Sequence, residues 1–225
     1  MTHSDQSATL SCAGEQLTLL AERAITWPAR RTLLIADWHM GKADVFGRRG
    51  IAIPDGDVAH DLARLAMLVR EQRIERLVVL GDLMHAPPQP GDAWPTLFAH
   101  WLQQHAALQV IVVAGNHDRV RTDALPANLA DRLDWRASHV DDGPFRFDHE
   151  PGSAPGQYVL AGHIHPTCAL RVGSDRLRAP AFWFREDHAV LPAFGSFTGG
   201  YNIQSAAGER IFVAGPGAVV EVTRR

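Results

Sequence analysis

Four short blocks of this 225-residue chain gather carboxylate, imidazole and amide side chains at spacings that suit metal chemistry. They are Asp37-Trp38-His39, Gly81-Asp82, Gly115-Asn116-His117-Asp118 and Gly162-His163-Ile164-His165. Asp37 and His39 stand two residues apart, as do His163 and His165. In extended chain such pairs share a side and can grip one ion. Carboxylate, imidazole and amide donors without cysteine favour Mn²⁺, Fe or Zn²⁺ in roughly octahedral sites over a structural zinc; Mn²⁺ is the first expectation. Two such ions about 3.5–4 Å apart need a bridging anion, which a carboxylate supplies.

The elements that must position these residues are legible around them. Thr32 to Ala36, Leu77 to Leu80 and Val110 to Val113 read as buried strands. Asp55 to Arg73 reads as a helix, with Val58, Leu62, Leu65, Leu68 and Val69 at helical spacing and Asp55 as its cap. Asp92 to His105 reads as a second helix, with Leu97, Phe98, Trp101 and Leu102 on one face. That alternation predicts parallel strands with helices packed on them. Asp37, His39, Asp82 and Asn116 then lie just past the carboxyl ends of strands, where open α/β sheets bind ligands. After about Trp135 short strands follow closely: Phe145–Phe147, Tyr158–Ala161, Ala169–Val172, Ala181–Phe184, Ala189–Pro192, Ile211–Ala214 and Val219–Val222. Their spacing predicts a largely antiparallel second half. A single domain over 1–225 is expected, because the candidate ligands come from both halves; the tail 1–11 is expected to be disordered.

Composition narrows the function classes. The net charge is −3, so no overall basic field marks a duplex-binding protein. The two cysteines, Cys12 and Cys168, make no disulfide framework and read as free thiols of a cytoplasmic protein. No apolar run is long enough to span a membrane, and the first residues lack the pattern of a signal peptide. His60, His100 and His105 sit in the helical patterns and read as surface residues.

Taken in order, the four blocks resemble the motif set of the calcineurin-like metallophosphoesterases. The resemblance implies an α/β fold, a four-layer α/β/β/α sandwich of two mixed sheets flanked by helices, and hydrolysis of phosphoesters at two divalent ions. It implies one ion on Asp37, His39, Asp82 and His165. The second takes the bridging Asp82, Asn116, His163 and one further histidine. His149 is the favoured candidate, since it ends an alternating apolar run, and His139 is the alternative. His117 is implied as the general acid for the leaving group. Asp118 could orient His117 and keep it protonated.

Two more segments narrow the resemblance. One runs from Met40-Gly41-Lys42 through Phe46, Arg48-Arg49-Gly50 and Pro54; the other is Leu191-Pro192-Ala193-Phe194-Gly195-Ser196-Phe197-Thr198-Gly199-Gly200. Together they resemble the bacterial DNA ligase-associated metallophosphoesterases. That resemblance implies a Mn-dependent DNA endonuclease on single-stranded or flapped DNA, working in repair beside a ligase, a nuclease and a helicase. A homodimer stays open. Lys42, Arg48 and Arg49 could hold phosphates flanking the scissile one. Phe46 has two readings, a core residue or a ring that stacks on a base. His85 stands where many relatives carry an acid. Competing functions are a phosphatase or small-nucleotide phosphodiesterase on the same ions, and a non-catalytic scaffold.

Overall fold

A computed structural model describes residues 7–51, 57–118, 125–172 and 175–222. Seven strands form the first sheet in chain order: β1 (Ala8–Cys12), β2 (Glu15–Leu20), β3 (Ala24–Trp27), β4 (Thr32–Ile35), β5 (Arg76–Leu80), β6 (Gln109–Val113) and β7 (Asp134–Arg136). The first four strands are an antiparallel meander, and β4 to β7 pair in parallel. Residues 8–11, expected in a disordered tail, therefore begin this sheet. Leu10 and Cys12 alternate inward and are buried, which gives the segment its reason to be a strand.

The parallel strands read as unbroken apolar runs because both their faces are covered. Leu33, Ile35, Leu77, Val79, Val110 and Val112 face the helices. Leu34, Val78, Leu80, Ile111 and Val113 face the second sheet. Four helices lie among the described residues: α1 (Lys42–Arg48), α2 (Asp57–Glu71), α3 (Trp94–Gln104) and α4 (Ala127–Ala130). Leu62 and Leu65 of α2, Phe98 and Leu102 of α3 and Leu129 of α4 cover the outer face of the first sheet. Each such buried Leu or Phe contributes about 1.5–3 kcal/mol. The expected helix cap, Asp55, and the motif residue Pro54 lie outside the described residues. None of these helices is long and apolar enough to cross a membrane.

The second sheet holds β8 (Val140–Asp142), β9 (Phe145–Phe147), β10 (Tyr158–Ala161), β11 (Pro166–Val172), β12 (Asp175–Phe184), β13 (His188–Val190), β14 (Tyr201–Asn202), β15 (Arg210–Gly215) and β16 (Ala218–Glu221). It is mixed: five of its eight strand pairings are antiparallel, as the strand spacing implied, and three are parallel. β9, β10 and β13 run parallel at its heart, with Leu160 level with Phe147 and Ala189. Parallel pairing needs a crossover, usually a helix. Between β10 and β13 the crossover is the hairpin of β11 and β12, so no helical period announces it. Phe145, Phe147, Leu160, Phe182 and Phe212 meet the inner face of the first sheet, and Trp27 packs edge-on to Phe145. The result is two mixed sheets flanked by helices.

Candidate metal centre

The carboxyl ends of β4, β5, β6 and β10 meet at one edge of the sandwich. Beyond β4 and β5 the chain continues side by side: the Asp37 amide donates to the Gly81 carbonyl (3.1 Å), His39 to Asp82 (2.8 Å) and Met40 to Leu83 (2.9 Å). The second sheet delivers its histidines through the His163 amide, which donates to both carboxylate oxygens of Asp37 (3.0 and 2.9 Å). The paired ligands are not in extended chain, as their spacing had implied. Asp37, His39, Asp82, His163 and His165 all adopt positive φ, between 50° and 71°. Each costs about 1–2 kcal/mol in an L-residue. Five such residues at one spot store strain where the side chains must converge.

Two glycines make the convergence possible. A Cβ on Gly115 would stand 2.2 Å from Asp82 Oδ1, and one on Gly81 would stand 2.0 Å from His149 Nδ1. Each glycine thus clears space for a candidate ligand from another part of the chain.

The donors fall into two groups sharing Asp82. Asp37, His39, Asp82 and His165 offer atoms within 4.8 Å of one another. The Nε2 atoms of His39 and His165 are 3.3 Å apart, and His165 Nε2 is 3.3 Å from Asp37 Oδ1. In the second group, Asn116 Oδ1 lies 2.9 Å from His149 Nε2 and 3.1 Å from His163 Nδ1, and those two nitrogens are 3.0 Å apart. Asp82 Oδ2 stands between the groups, 3.7 Å from His39 Nε2 and 3.6 Å from His149 Nε2. His149 is therefore the histidine brought into the cluster. His139 sits beside Asp141, at 3.8 Å, and does not join it.

Backbone carbonyls set the tautomers. His149 Nδ1 donates to Leu80 O (3.1 Å) and His165 Nδ1 to Gly199 O (3.1 Å), so in the neutral ring each turns an unprotonated Nε2 to the cluster. Burial, with His165, His117, Lys42 and His85 nearby, drives His39 down to about 2, so it is neutral, the form that binds a metal. Burial lowers His165 too, but its bond to the Asp37 carboxylate outweighs this and raises it. Ring nitrogens that oppose each other at 3.0 and 3.3 Å repel if both present lone pairs, unless a proton or a cation lies between them. Carboxylate, imidazole and amide donors so placed fit two divalent ions.

His117 follows Asn116 in the loop after β6. Its amide donates to Asp82 Oδ1 (2.9 Å), and its Nδ1 donates to the His85 carbonyl (2.9 Å). The rings of His85 and His117 stack with centroids 5.0 Å apart, and burial beside His117 and Lys42 lowers His85 to about 4. A ring nitrogen from each of His39, His85 and His117 also lies within 4.8 Å of the other two. Asp118 does not orient His117. Its buried carboxylate accepts the amides of Leu83 (3.1 Å), Met84 (3.1 Å) and Gly115 (3.0 Å). It ties the loop after β5 to the loop after β6, and burial raises its pKa despite those three bonds.

The flanking basic residues divide. Lys42 is half-buried at the rim, with Nζ 6.0 Å from the centre of the Phe197 ring. Arg49 is exposed. Arg48 is exposed and its guanidinium binds Asp92, whose other oxygen accepts the Gln89 amide (2.9 Å). The sequence reading passed over the His85 carbonyl and Asp61. Asp61 falls three residues after Val58 on the apolar stripe of α2, and a charge there was the available signal. His60 and His100 are exposed, while His105 is half-buried with its ring stacked on Trp101.

The family model for calcineurin-like phosphoesterases matches residues 30–186. The crystal structure of Pseudomonas putida nuclease MPE is 38% identical, with 96% of this chain and 100% of that chain covered and a TM-score of 0.83. YfcE, a phosphoesterase from E. coli, matches more loosely: 16% identity, 85% and 98% coverage, TM-score 0.45. No curated protein sequence matches this chain. With the family model spanning most of the chain and a nuclease structure matching it end to end, the chain belongs to the calcineurin-like phosphoesterase family and is a metal-dependent phosphoesterase.

Proposed function

We propose that the chain is a phosphodiesterase that cuts nucleic acid, with single-stranded or flapped DNA as substrate, and that residues 1–225 act as one domain. The observation that carries this reading is Asp82 Oδ2, placed between two donor groups that each converge on one point. End-to-end likeness to a nuclease supports nucleic acid as the substrate class. Asp37, His39, Asp82 and His165 would hold one divalent ion; Asp82, Asn116, His149 and His163 would hold the other. Mn²⁺ is the first choice, with Fe or Zn²⁺ behind it. Two ions there supply Lewis-acid activation of water and offset charge on the phosphoryl oxygens.

The chain's own residues do the rest. The His85 carbonyl holds the His117 ring by its Nδ1 proton, which leaves Nε2 as the nitrogen free for proton transfer. His117 Nε2 delivers a proton to the departing alkoxide, a step worth about 10²–10⁴ in rate. Asp118 holds the two ligand loops together and takes no part in proton transfer. Lys42 and the exposed Arg49 offset substrate phosphates at the rim. A net charge of −3 means modest, salt-sensitive affinity. Place in a repair set beside a ligase, helicase and nuclease follows only from the subfamily resemblance of the Lys42–Arg49 and Leu191–Gly200 segments.

The test is hydrolysis of a generic phosphodiester against a generic phosphomonoester, then of single-stranded, stem-loop and duplex DNA, each with Mn²⁺, Mg²⁺ and Zn²⁺. Diester and single-strand cleavage are expected. Monoester hydrolysis alone would make the chain a phosphatase.

A further inference from the structure

Two aromatic rings stand at the rim of the centre, and the hydrolytic chemistry uses neither. Phe46 is half-buried on α1. Phe197 is 37% exposed on the loop after Phe194. They meet edge to face, with ring centres 5.9 Å apart and planes at 81°. His85, stacked on His117, has its ring centre 6.3 Å from that of Phe46. Lys42 Nζ is 6.0 Å from the Phe197 ring centre, and no carboxylate among the described residues pairs with it.

The loop that carries Phe197 is built, and both its ends are tied. At one end the buried Asp61 accepts the Ser196 amide (3.0 Å) and the Ser196 hydroxyl. Arg64 pairs with Asp61 (3.0 Å), donates to the Phe194 carbonyl and lies 4.0 Å over the Phe194 ring. Arg23 donates to the Gly195 carbonyl (3.3 Å). At the other end the Gly199 carbonyl takes the Nδ1 proton of His165, a candidate ligand. A loop anchored to a buried ion pair and to the metal centre holds its one large apolar side chain out at the rim. An aromatic face beside a cation and a phosphoester centre matches a nucleobase joined to its phosphate.

We propose that Phe197 and Phe46 form a nucleobase subsite that takes the unpaired base next to the scissile phosphate, with Lys42 on a neighbouring phosphate. The subsite rests on the nucleic-acid reading above and deepens it. A base inside a duplex has both faces covered by its neighbours. Only an unstacked base can lie against these rings, so the subsite selects single-stranded over duplex substrate.

The experiment compares cleavage at one position of a single-stranded oligonucleotide carrying either a base or an abasic sugar beside the scissile phosphate. It is run on the wild type, Phe197→Leu and Phe197→Trp. The ratio of the two rates is internal to each protein, so it is insensitive to the fraction folded. Stacking on one aromatic ring predicts a preference of about 10-fold for the base-bearing site in the wild type, from the usual worth of base–aromatic stacking. Phe197→Leu should bring the ratio near one, and Phe197→Trp should keep it. Equal cleavage of both substrates by the wild type, or an unchanged ratio in Phe197→Leu, overturns the subsite while leaving the nuclease reading intact. Hydrolysis of neither substrate removes the nuclease reading and the subsite with it.

Discussion

The Nδ1 atom of His117 is hydrogen-bonded at 2.9 Å to the backbone carbonyl of His85, not to the carboxylate that follows it in sequence. A carbonyl cannot titrate, so the orientation of the proton donor is independent of pH. His117→Ala should lower turnover on an alkyl diester about 100-fold or more and change far less with a nitrophenolate leaving group, which needs no proton. Steady-state rates on the two ester types check this. Equal losses on both would deny His117 the role of acid.

Asp118 gives the complementary case. Its carboxylate accepts three backbone amides. Asp118→Asn turns one acceptor into a donor facing an N–H, which should cost about 1–3 kcal/mol of stability. Denaturant unfolding should show that loss, and the pH profile of the protein that remains folded should stay where it is. A shifted profile at unchanged stability would restore Asp118 as the partner of His117.

Gly115→Ala puts a Cβ 2.2 Å from Asp82 Oδ1. The Asp82 carboxylate must then move. The same Cβ meets the Asp82 backbone nitrogen at 2.4 Å, so the variant should unfold below the wild-type temperature, and its folded fraction should bind fewer than two ions per chain, by elemental analysis of dialysed protein. Two ions retained at full activity would show that Asp82 has freedom the structure does not give it.

Arg64→Ala leaves Asp61 buried without its cation and should destabilise by about 3 kcal/mol. It should also loosen the loop on which Phe197 and the Gly199 carbonyl sit. Urea unfolding measures the first effect. Protease cleavage within residues 195–200, absent in the wild type, measures the second.

The metal-free protein should lose stability as pH falls. His39 and His85 have folded values near 2 and 4 against 6.5 in the unfolded chain. Between about 6.5 and 4 the unfolded chain takes up protons that the folded chain refuses, so their contribution is present above 6.5 and lost on acidification. His165 works in the opposite direction, since its value is raised. The two depressed histidines should dominate, and thermal unfolding with chelator at pH 7 and pH 5 reads the difference.

The chemistry of this chain was written in its sequence more plainly than the geometry that delivers it. Asp37, Asp82 and Asn116 follow apolar runs, and a buried parallel strand must end where such a run ends. The left-handed turns of Asp37, His39 and His163 were invisible, because none is a glycine and the strain is carried by tertiary bonds. α1 was missed because Lys42–Arg48 is short, contains Gly47 and buries no residue. β9, β10 and β13 looked antiparallel because the crossover between β10 and β13 is a strand hairpin. The partners of Asp118 and His117 are backbone groups, which residue types do not reveal.

The central claim is a two-ion phosphodiesterase bridged by Asp82, and metal titration read against activity tests it most directly. Chelator-stripped protein receives Mn²⁺ in steps while bound metal and hydrolysis of a generic phosphodiester are followed together. Saturation is expected at two ions per chain, with activity rising as the second binds, and Asp82→Ala should lose both the second ion and turnover. Full activity at one ion per chain, or an Asp82→Ala variant that still turns over, would contradict it.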